Sequence, residues 1–133
     1  MGRNNQTAST PRILIVDDSS LVRLYYRDAL ARAGFEMDQA INGIEAMEKI
    51  LAHKFDLVIV DINMPRMDGF SFLRVLRAQA VETASIPALM ISTEAAPQDI
   101  QDARSAGANY YLVKPVSEAD LRDYVAVLVG SPV

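Results

Sequence analysis

The sequence predicts an α/β fold in which a doubly wound, five-stranded parallel sheet carries five helices on its two faces. Strand-like and helix-like stretches alternate five times with short connections, the mark of a repeated βα unit. The runs Ile13-Leu14-Ile15-Val16, Leu57-Val58-Ile59-Val60 and Ala88-Leu89-Met90-Ile91 are continuously apolar, as strands covered on both faces are. Charged and hydroxyl residues stand where such runs end: Asp17-Asp18, Asp61, Ser92-Thr93, and Lys114-Pro115 after Tyr111-Leu112-Val113. In an open parallel sheet those ends share one edge, and ligands bind in the crevice there.

The polar residues up to Pro11 read as a disordered tail over 1–11. A single domain is expected over 12–129, followed by a short tail, 130–133, with no effector domain after it. Strands are expected at 12–17, 35–40, 56–61, 86–91 and 109–113. The second of these, Phe35 to Ala40, alternates polar and apolar residues, as an edge strand does. Helices are expected at 19–33, 43–53, 68–80, 97–106 and 117–129. Apolar residues at helical spacing give each a buried face: Val22, Tyr26, Ala29, Leu30 and Ala33 in the first, Met47, Ile50 and Leu51 in the second, Phe72, Leu73 and Leu76 in the third, and Leu121, Tyr124, Val125 and Leu128 in the last. Gly34 suits a left-handed end to the first helix, and Ser117 with Asp120 suits a capped start to the last. The helix at 97–106 offers only Ile100, Ala103 and Ala106 to the core. It removes little apolar area from water and should be the least firmly held.

Bulk properties exclude several classes. A chain of 133 residues, half of them hydrophobic, suits one domain with a real core. No stretch approaches the roughly 20 apolar residues of a membrane span. The absence of cysteine removes disulfide frameworks and thiolate metal sites, and fits a reducing cytoplasm. A net charge of −4 argues against gripping nucleic acid by a general field. His53, the lone histidine, is expected exposed near the end of the second helix, with no acidic partner.

The polar strand ends define the chemistry. Asp17, Asp18 and Asp61 repel one another unless a cation lies among them or some are protonated. Oxygen ligands in that number suit a hard divalent ion such as Mg²⁺. An ammonium and a hydroxyl nearby, Lys114 and Ser92, suit a phosphoryl group. A carboxylate can attack phosphorus to give an aspartyl phosphate. Asp17 and Asp18 share a turn and are placed to hold a metal. Asp61 lies on a more central strand and precedes a loop, 62–69, long enough to wrap a site, with the Asn63 carbonyl able to point back at the same ion.

Four motifs occur in order, each after an expected strand: Asp17-Asp18-Ser19 with Arg23, Asp61 with Met64-Pro65 and Asp68-Gly69, Ser92, and Lys114-Pro115. Over about 12–129 the chain resembles the receiver domain of bacterial two-component response regulators, most of all the single-domain chemotaxis (CheY-like) type. The resemblance implies a flavodoxin-like sheet of order 2-1-3-4-5. It makes Asp61 the phospho-acceptor, Asp17, Asp18, Asp61 and the Asn63 backbone carbonyl the Mg²⁺ ligands, and Lys114 the partner of a phosphoryl oxygen. It further implies a cis Lys114-Pro115 bond. Ser92 and Tyr111 become the switch pair, the hydroxyl drawn toward the phosphoryl group and the ring then turning inward, so that the face built from 97–106, 109–113 and 117–129 changes shape. Asn63 and Glu94 resemble the pair that tunes dephosphorylation in fast-resetting members.

The implied partners are a sensor histidine kinase or histidine phosphotransfer protein upstream and a protein target on that face, with no direct nucleic acid contact and no membrane insertion. Two departures fall on the same face: Val116 stands where an aromatic is common, and Ala96-Pro97-Gln98 where lysines are often found. Three alternatives remain open. One is a receiver belonging to a larger regulator with a DNA-binding or enzymatic output. Another is an aspartyl-phosphate phosphatase, for which Asn63 stands where a second acid is usual. The last is an FMN carrier, which lacks its phosphate loop here.

Overall fold

The computed structural model describes residues 10–130; most of the expected N-terminal tail and residues 131–133 lie outside that range. Five strands, β1 (Arg12–Val16), β2 (Glu36–Ala40), β3 (Leu57–Val60), β4 (Ala88–Ser92) and β5 (Tyr110–Val113), form one sheet in the order β2-β1-β3-β4-β5. Every pairing is parallel. The helices are α1 (Ser20–Arg32), α2 (Gly43–Ala52), α3 (Gly69–Arg77), α4 (Val81–Ala84), α5 (Pro97–Ala106) and α6 (Glu118–Val129).

The unbroken apolar runs are explained by two cores, one on each side of the sheet. Leu14, Val16, Val58, Val60, Ala88 and Met90 face α2, α3 and α5, where Phe72, Leu73 and Leu76 are fully buried. The alternate residues Ile13, Ile15, Leu57, Ile59, Leu89 and Ile91 face α1 and α6, packing on Tyr26, Leu30, Leu121 and Val125. A strand between two cores has no solvent side, so polar alternation is absent. It survives in β2, which is an edge strand.

Helix starts are set by side-chain caps. Ser19, Asn42, Asp68 and Ser117 accept the backbone N–H of Val22, Glu45, Ser71 and Asp120 respectively. Just beyond α1, Gly34 takes φ +91°, a left-handed conformation that glycine adopts at little cost. Among the described residues no helix is long and apolar enough to cross a membrane.

The structure corrects the sequence expectation at three places. The third helix stops at Arg77 rather than residue 80, and a sixth, single-turn helix, α4, follows. The arginine ties the following segment in place. Its Nη1 donates to the carbonyls of Ala84 (2.7 Å), the last residue of α4, and Ile86 (2.6 Å), just beyond it. Its Nε and Nη2 donate to the Gly107 carbonyl (3.0 and 2.7 Å), and Nη2 also to Asn109 Oδ1 (2.9 Å). Leu51, expected in the core, is 64 % exposed. Ile50, one residue back, holds the buried position, and no element covers the next one. Ile100 is half-buried, so only Ala103 and Ala106 of α5 are fully covered. That strengthens the expectation of a weakly packed helix.

Replacing Arg77 with alanine strips a half-buried donor from several carbonyls. It should lower the unfolding free energy by about 2 kcal/mol, seen as a lower urea midpoint at constant slope. An unchanged midpoint would show that the guanidinium holds nothing together.

Candidate functional site

Strand register builds the site. Val16 pairs with Val60, so the next residues, Asp17 and Asp61, leave the sheet side by side. The Asp17 N–H still donates to the Ala40 carbonyl and the Asp61 N–H to the Val16 carbonyl, both at 3.1 Å. Ser92 pairs with Val113, and the N–H of the next residue, Lys114, donates to the Ser92 carbonyl at 2.8 Å. The carboxyl ends of β1, β3, β4 and β5 therefore deliver acid, acid, hydroxyl and ammonium to one crevice. The Lys114-Pro115 peptide bond is cis, as the resemblance implied.

Within the crevice, one carboxylate oxygen from each of Asp17, Asp18 and Asp61 lies within 4.8 Å of the others. Asp17 is 2 % exposed. Its Oδ1 accepts the Ser19 N–H at 2.9 Å and its Oδ2 lies 3.3 Å from Lys114 Nζ. The same ammonium stands 3.7 Å from Asp61 Oδ1. Asp18 is exposed at the mouth. Asp61 is 9 % exposed, and burial pushes its carboxyl above the ordinary carboxylate range. Lys114 opposes that shift, while the like charges of Asp17 and Asp18 add to it. A single ammonium faces three carboxylates. The surplus of hard, clustered oxygens fits a divalent oxygen-loving cation.

The loop after Asp61 folds back tightly. A Cβ on Gly69 would lie 2.3 Å from the Asp61 carbonyl oxygen, and the Gly69 N–H donates to the Ile62 carbonyl at 2.8 Å. Met64 sinks into the core between, leaving the Asn63 side chain exposed at the rim.

A second connected set adjoins the first. Ser92 is fully buried and its Oγ accepts the Glu94 N–H at 3.2 Å. The Tyr111 hydroxyl donates to the Glu94 carbonyl at 2.6 Å. The Tyr111 ring is half-buried against the α5-side core. Burial raises its hydroxyl pKa, the neighbouring Ser92 hydroxyl lowers it, and Asp99, Glu94 and Asp61 raise it again. The ring thus lies half-buried, with its hydroxyl tied to the β4–α5 loop. Glu94, like Asn63, has an exposed side chain.

Sequence reasoning missed two supports. Arg23 was noted only as part of a motif, yet its Nη1 donates to the Asp17 carbonyl at 2.7 Å and its Nε to Gln39 Oε1 at 2.9 Å. Gly69 was noted only beside Asp68, although its missing side chain is what lets the loop close on Asp61. The available signals were an arginine one helical turn after Ser19, which follows the acid pair, and a glycine directly after a capping aspartate.

A parallel sheet whose carboxyl edge gathers three acids, an ammonium and a hydroxyl in one crevice is a doubly wound α/β domain with a cation-seeking site. Residues 13–126 match the family described as the response regulator receiver domain, and the chain belongs to that family. It is 35 % identical to the chemotaxis protein CheY1 of Helicobacter pylori over 122 residues, covering 90 % of this chain and 98 % of that protein. It is 40 % identical to the chemotaxis protein CheY-3 of Vibrio cholerae over 113 residues, covering 84 % of this chain and 86 % of the other. Among solved structures, Vibrio cholerae CheY4 superposes with a TM-score of 0.85 at 35 % identity, over 90 % of this chain and 99 % of that one. The receiver domain of a sensor histidine kinase from Pseudomonas aeruginosa, solved with a magnesium ion coordinated in its active-site cleft, superposes with a TM-score of 0.84 at 27 % identity, over 92 % of this chain and 100 % of its own. The chain is thus a CheY-like receiver domain, a signalling switch.

Two measurements test this geometry. Gly69→Ala should destabilise the fold by roughly 1–3 kcal/mol, because backbone rather than a flexible side chain must yield; an unaltered thermal midpoint would contradict the close approach. Asp61 ionises less readily folded than unfolded. Its contribution is therefore most favourable below the unfolded carboxylate pKa and is lost as pH rises through that value toward the raised folded one. In chelator, Asp61→Asn should gain stability over the wild-type chain as pH climbs from acid to neutral. A difference that is flat with pH would rule this out.

Proposed function

We propose that Asp61 accepts a phosphoryl group from the phosphohistidine of a sensor kinase or phosphotransfer protein, in a Mg²⁺-dependent reaction that this chain itself promotes. The carrying observation is the meeting of three carboxylates and the Lys114 ammonium at one strand edge. Asp61 Oδ forms the new bond to phosphorus as the donor's N–P bond breaks, and the imidazole leaves with a proton. Asp17, Asp18, Asp61 and the Asn63 backbone carbonyl would hold Mg²⁺, which supplies positive charge against the phosphoryl oxygens. Lys114, already within reach of Asp17 and Asp61, is placed to follow the transferred group and offset the repulsion between two anions. Asp17, pinned by Ser19 and Arg23, keeps its oxygens oriented before the donor arrives.

The Ser92–Glu94–Tyr111 set is the reading's output. Ser92 Oγ turns from the Glu94 N–H toward the phosphoryl oxygen. The β4–α5 loop follows, the Tyr111 ring turns toward the interior, and the α5–β5–α6 face presents a different surface to a protein target. Asn63 and Glu94, both exposed at the rim, flank the line of water attack and favour a short-lived phosphorylated state. An acid two residues after the acceptor is absent, so turnover of free phosphomonoesters is not expected.

Asp61→Asn, or a chelator, should abolish phosphoryl uptake from acetyl phosphate, followed by intact-mass measurement. Lys114→Ala should slow uptake about a hundredfold. Full labelling of Asp61→Asn at another residue, or uptake unaffected by chelation, would overturn the assignment. A phosphoryl lifetime of hours in the isolated protein would overturn the roles given to Asn63 and Glu94.

A further inference from the structure

One buried hydroxyl, that of Tyr26 in α1, stands outside the two hydrogen-bonded sets at the strand edge. Tyr26 is 4 % exposed. It belongs to the core built with Ile13, Ile15, Ile59, Leu121 and Val125, whose side chains offer no acceptor. Its neighbour Tyr25 donates outward to the Val116 carbonyl at 3.0 Å. Among the described residues the Tyr26 hydroxyl makes no hydrogen bond. A tyrosine hydroxyl buried without a partner is costly, and phenylalanine fills the same space without that cost. The group therefore points to a partner beyond the core.

Strand parity puts the acids on the same side of the sheet as this ring. Ile15 of β1, Ile59 of β3 and Leu112 of β5 all face the core of α1 and α6. Side chains two residues further along a strand take the same side, and those residues are Asp17, Asp61 and Lys114. A long side chain on a helix leans toward its amino end, and that end of α1 directly follows Asp17-Asp18-Ser19. Burial raises the pKa of the Tyr26 hydroxyl, and the charges of Asp17 and then Asp61 raise it further. The group is thus a donor with two carboxylates near it. Tyr26 and Lys114 also line one cleft of about 460 Å³ between α1 and residues 114–116. A water in that cleft has the room and the polar partners it needs: the hydroxyl, the ammonium and a carboxylate.

We propose that Tyr26 is a positioning residue for the metal-binding edge of the site, its hydroxyl donating through one bridging water to the Asp17 carboxylate. Asp17 Oδ1 accepts the Ser19 N–H, and Oδ2 faces the Lys114 ammonium at 3.3 Å. When that ammonium moves to a phosphoryl oxygen, Oδ2 loses its partner at a residue only 2 % exposed. A donor on the core side keeps the carboxylate turned toward Mg²⁺, as hydrogen-bond partners of metal ligands do. The inference rests on the phosphorylation reading above and adds to it a residue that touches neither the ion nor the phosphoryl group.

The test uses the full chain and Tyr26→Phe, which keeps the ring and removes the hydroxyl. Mg²⁺ affinity, read from amide chemical shifts with no phosphodonor present, should fall about tenfold. In uptake from acetyl phosphate the variant should need correspondingly more Mg²⁺ for half its maximal rate, while the rate at saturating Mg²⁺ stays near that of the wild-type chain. Tyr124→Phe, which removes a hydroxyl from α6 beside the same core, should change neither quantity. In chelator, with tyrosine isotopically labelled at its ζ carbon, the Tyr26 signal should shift in Asp17→Asn and stay in place in Asp18→Asn. The urea midpoint of Tyr26→Phe in chelator should not fall, because the packed ring is kept. Unchanged Mg²⁺ affinity in Tyr26→Phe overturns the inference. So does a Tyr26 signal that ignores Asp17→Asn, or a lowered urea midpoint, which marks a packing role. Phosphoryl uptake by the wild-type chain is measured in parallel. Mg²⁺-dependent uptake alongside any of those failures overturns this inference alone, and absent uptake overturns the assignment of Asp61.

Discussion

The crowding of negative charge at the end of the sheet is the constraint on which the rest of the structure depends. Two unit charges about 4 Å apart interact by roughly 4 kcal/mol near a protein surface. A domain is stable by only about 5–15 kcal/mol in total. Asp17, Asp18 and Asp61, with ligand atoms within 4.8 Å of one another, therefore set a demand that the surrounding elements must meet. Lys114 answers part of it, at 3.3 Å from Asp17 and 3.7 Å from Asp61. The Ser19 N–H answers another part by hydrogen-bonding Asp17. What remains is an attraction for positive charge held open by the fold, and the phosphorylation proposed above draws on that attraction.

The two apolar cores make this arrangement affordable. Ile13, Ile15, Leu57 and Ile59 on one side, and Leu14, Val16, Val58 and Val60 on the other, seat the tips of β1 and β3 from both faces. The acids are thus placed by strands with almost no freedom to part. The hydroxyl side is built differently. Ser92 is fully buried, but the loop after it leads to α5, whose covered face is two alanines. Rigid chemistry and a loosely held reporter meet at the end of β4, an asymmetry suited to a domain that changes shape after a small covalent event.

Most of this was legible in the sequence because it depends on patterns that one dimension preserves. Continuous β-branched runs mark doubly covered strands, and an acid directly after each run marks the edge. Helix faces followed from spacing, save at Leu51, where the residues alone do not tell which of two adjacent apolar positions meets a neighbour. The sixth helix and the supports of the site escaped for a shared reason. Arg77 and Arg23 act on carbonyl oxygens, which every residue possesses, so no partner residue type advertises the contact. Gly69 acts by lacking atoms, and the collision it avoids exists only once the loop has closed on Asp61.

The hydrogen bonds of Arg77 have a mechanical consequence for α5. They grip the Gly107 carbonyl just past the carboxyl end of that helix, while Asn109, held by the same guanidinium, accepts the Ala88 N–H at the start of β4. The opposite end begins at Pro97 after Ala96, with no side-chain cap. The helix is therefore anchored at residue 107 and left without a side-chain cap at the end that follows the Ser92 loop, so the switch proposed above would turn it about its anchored end rather than slide it.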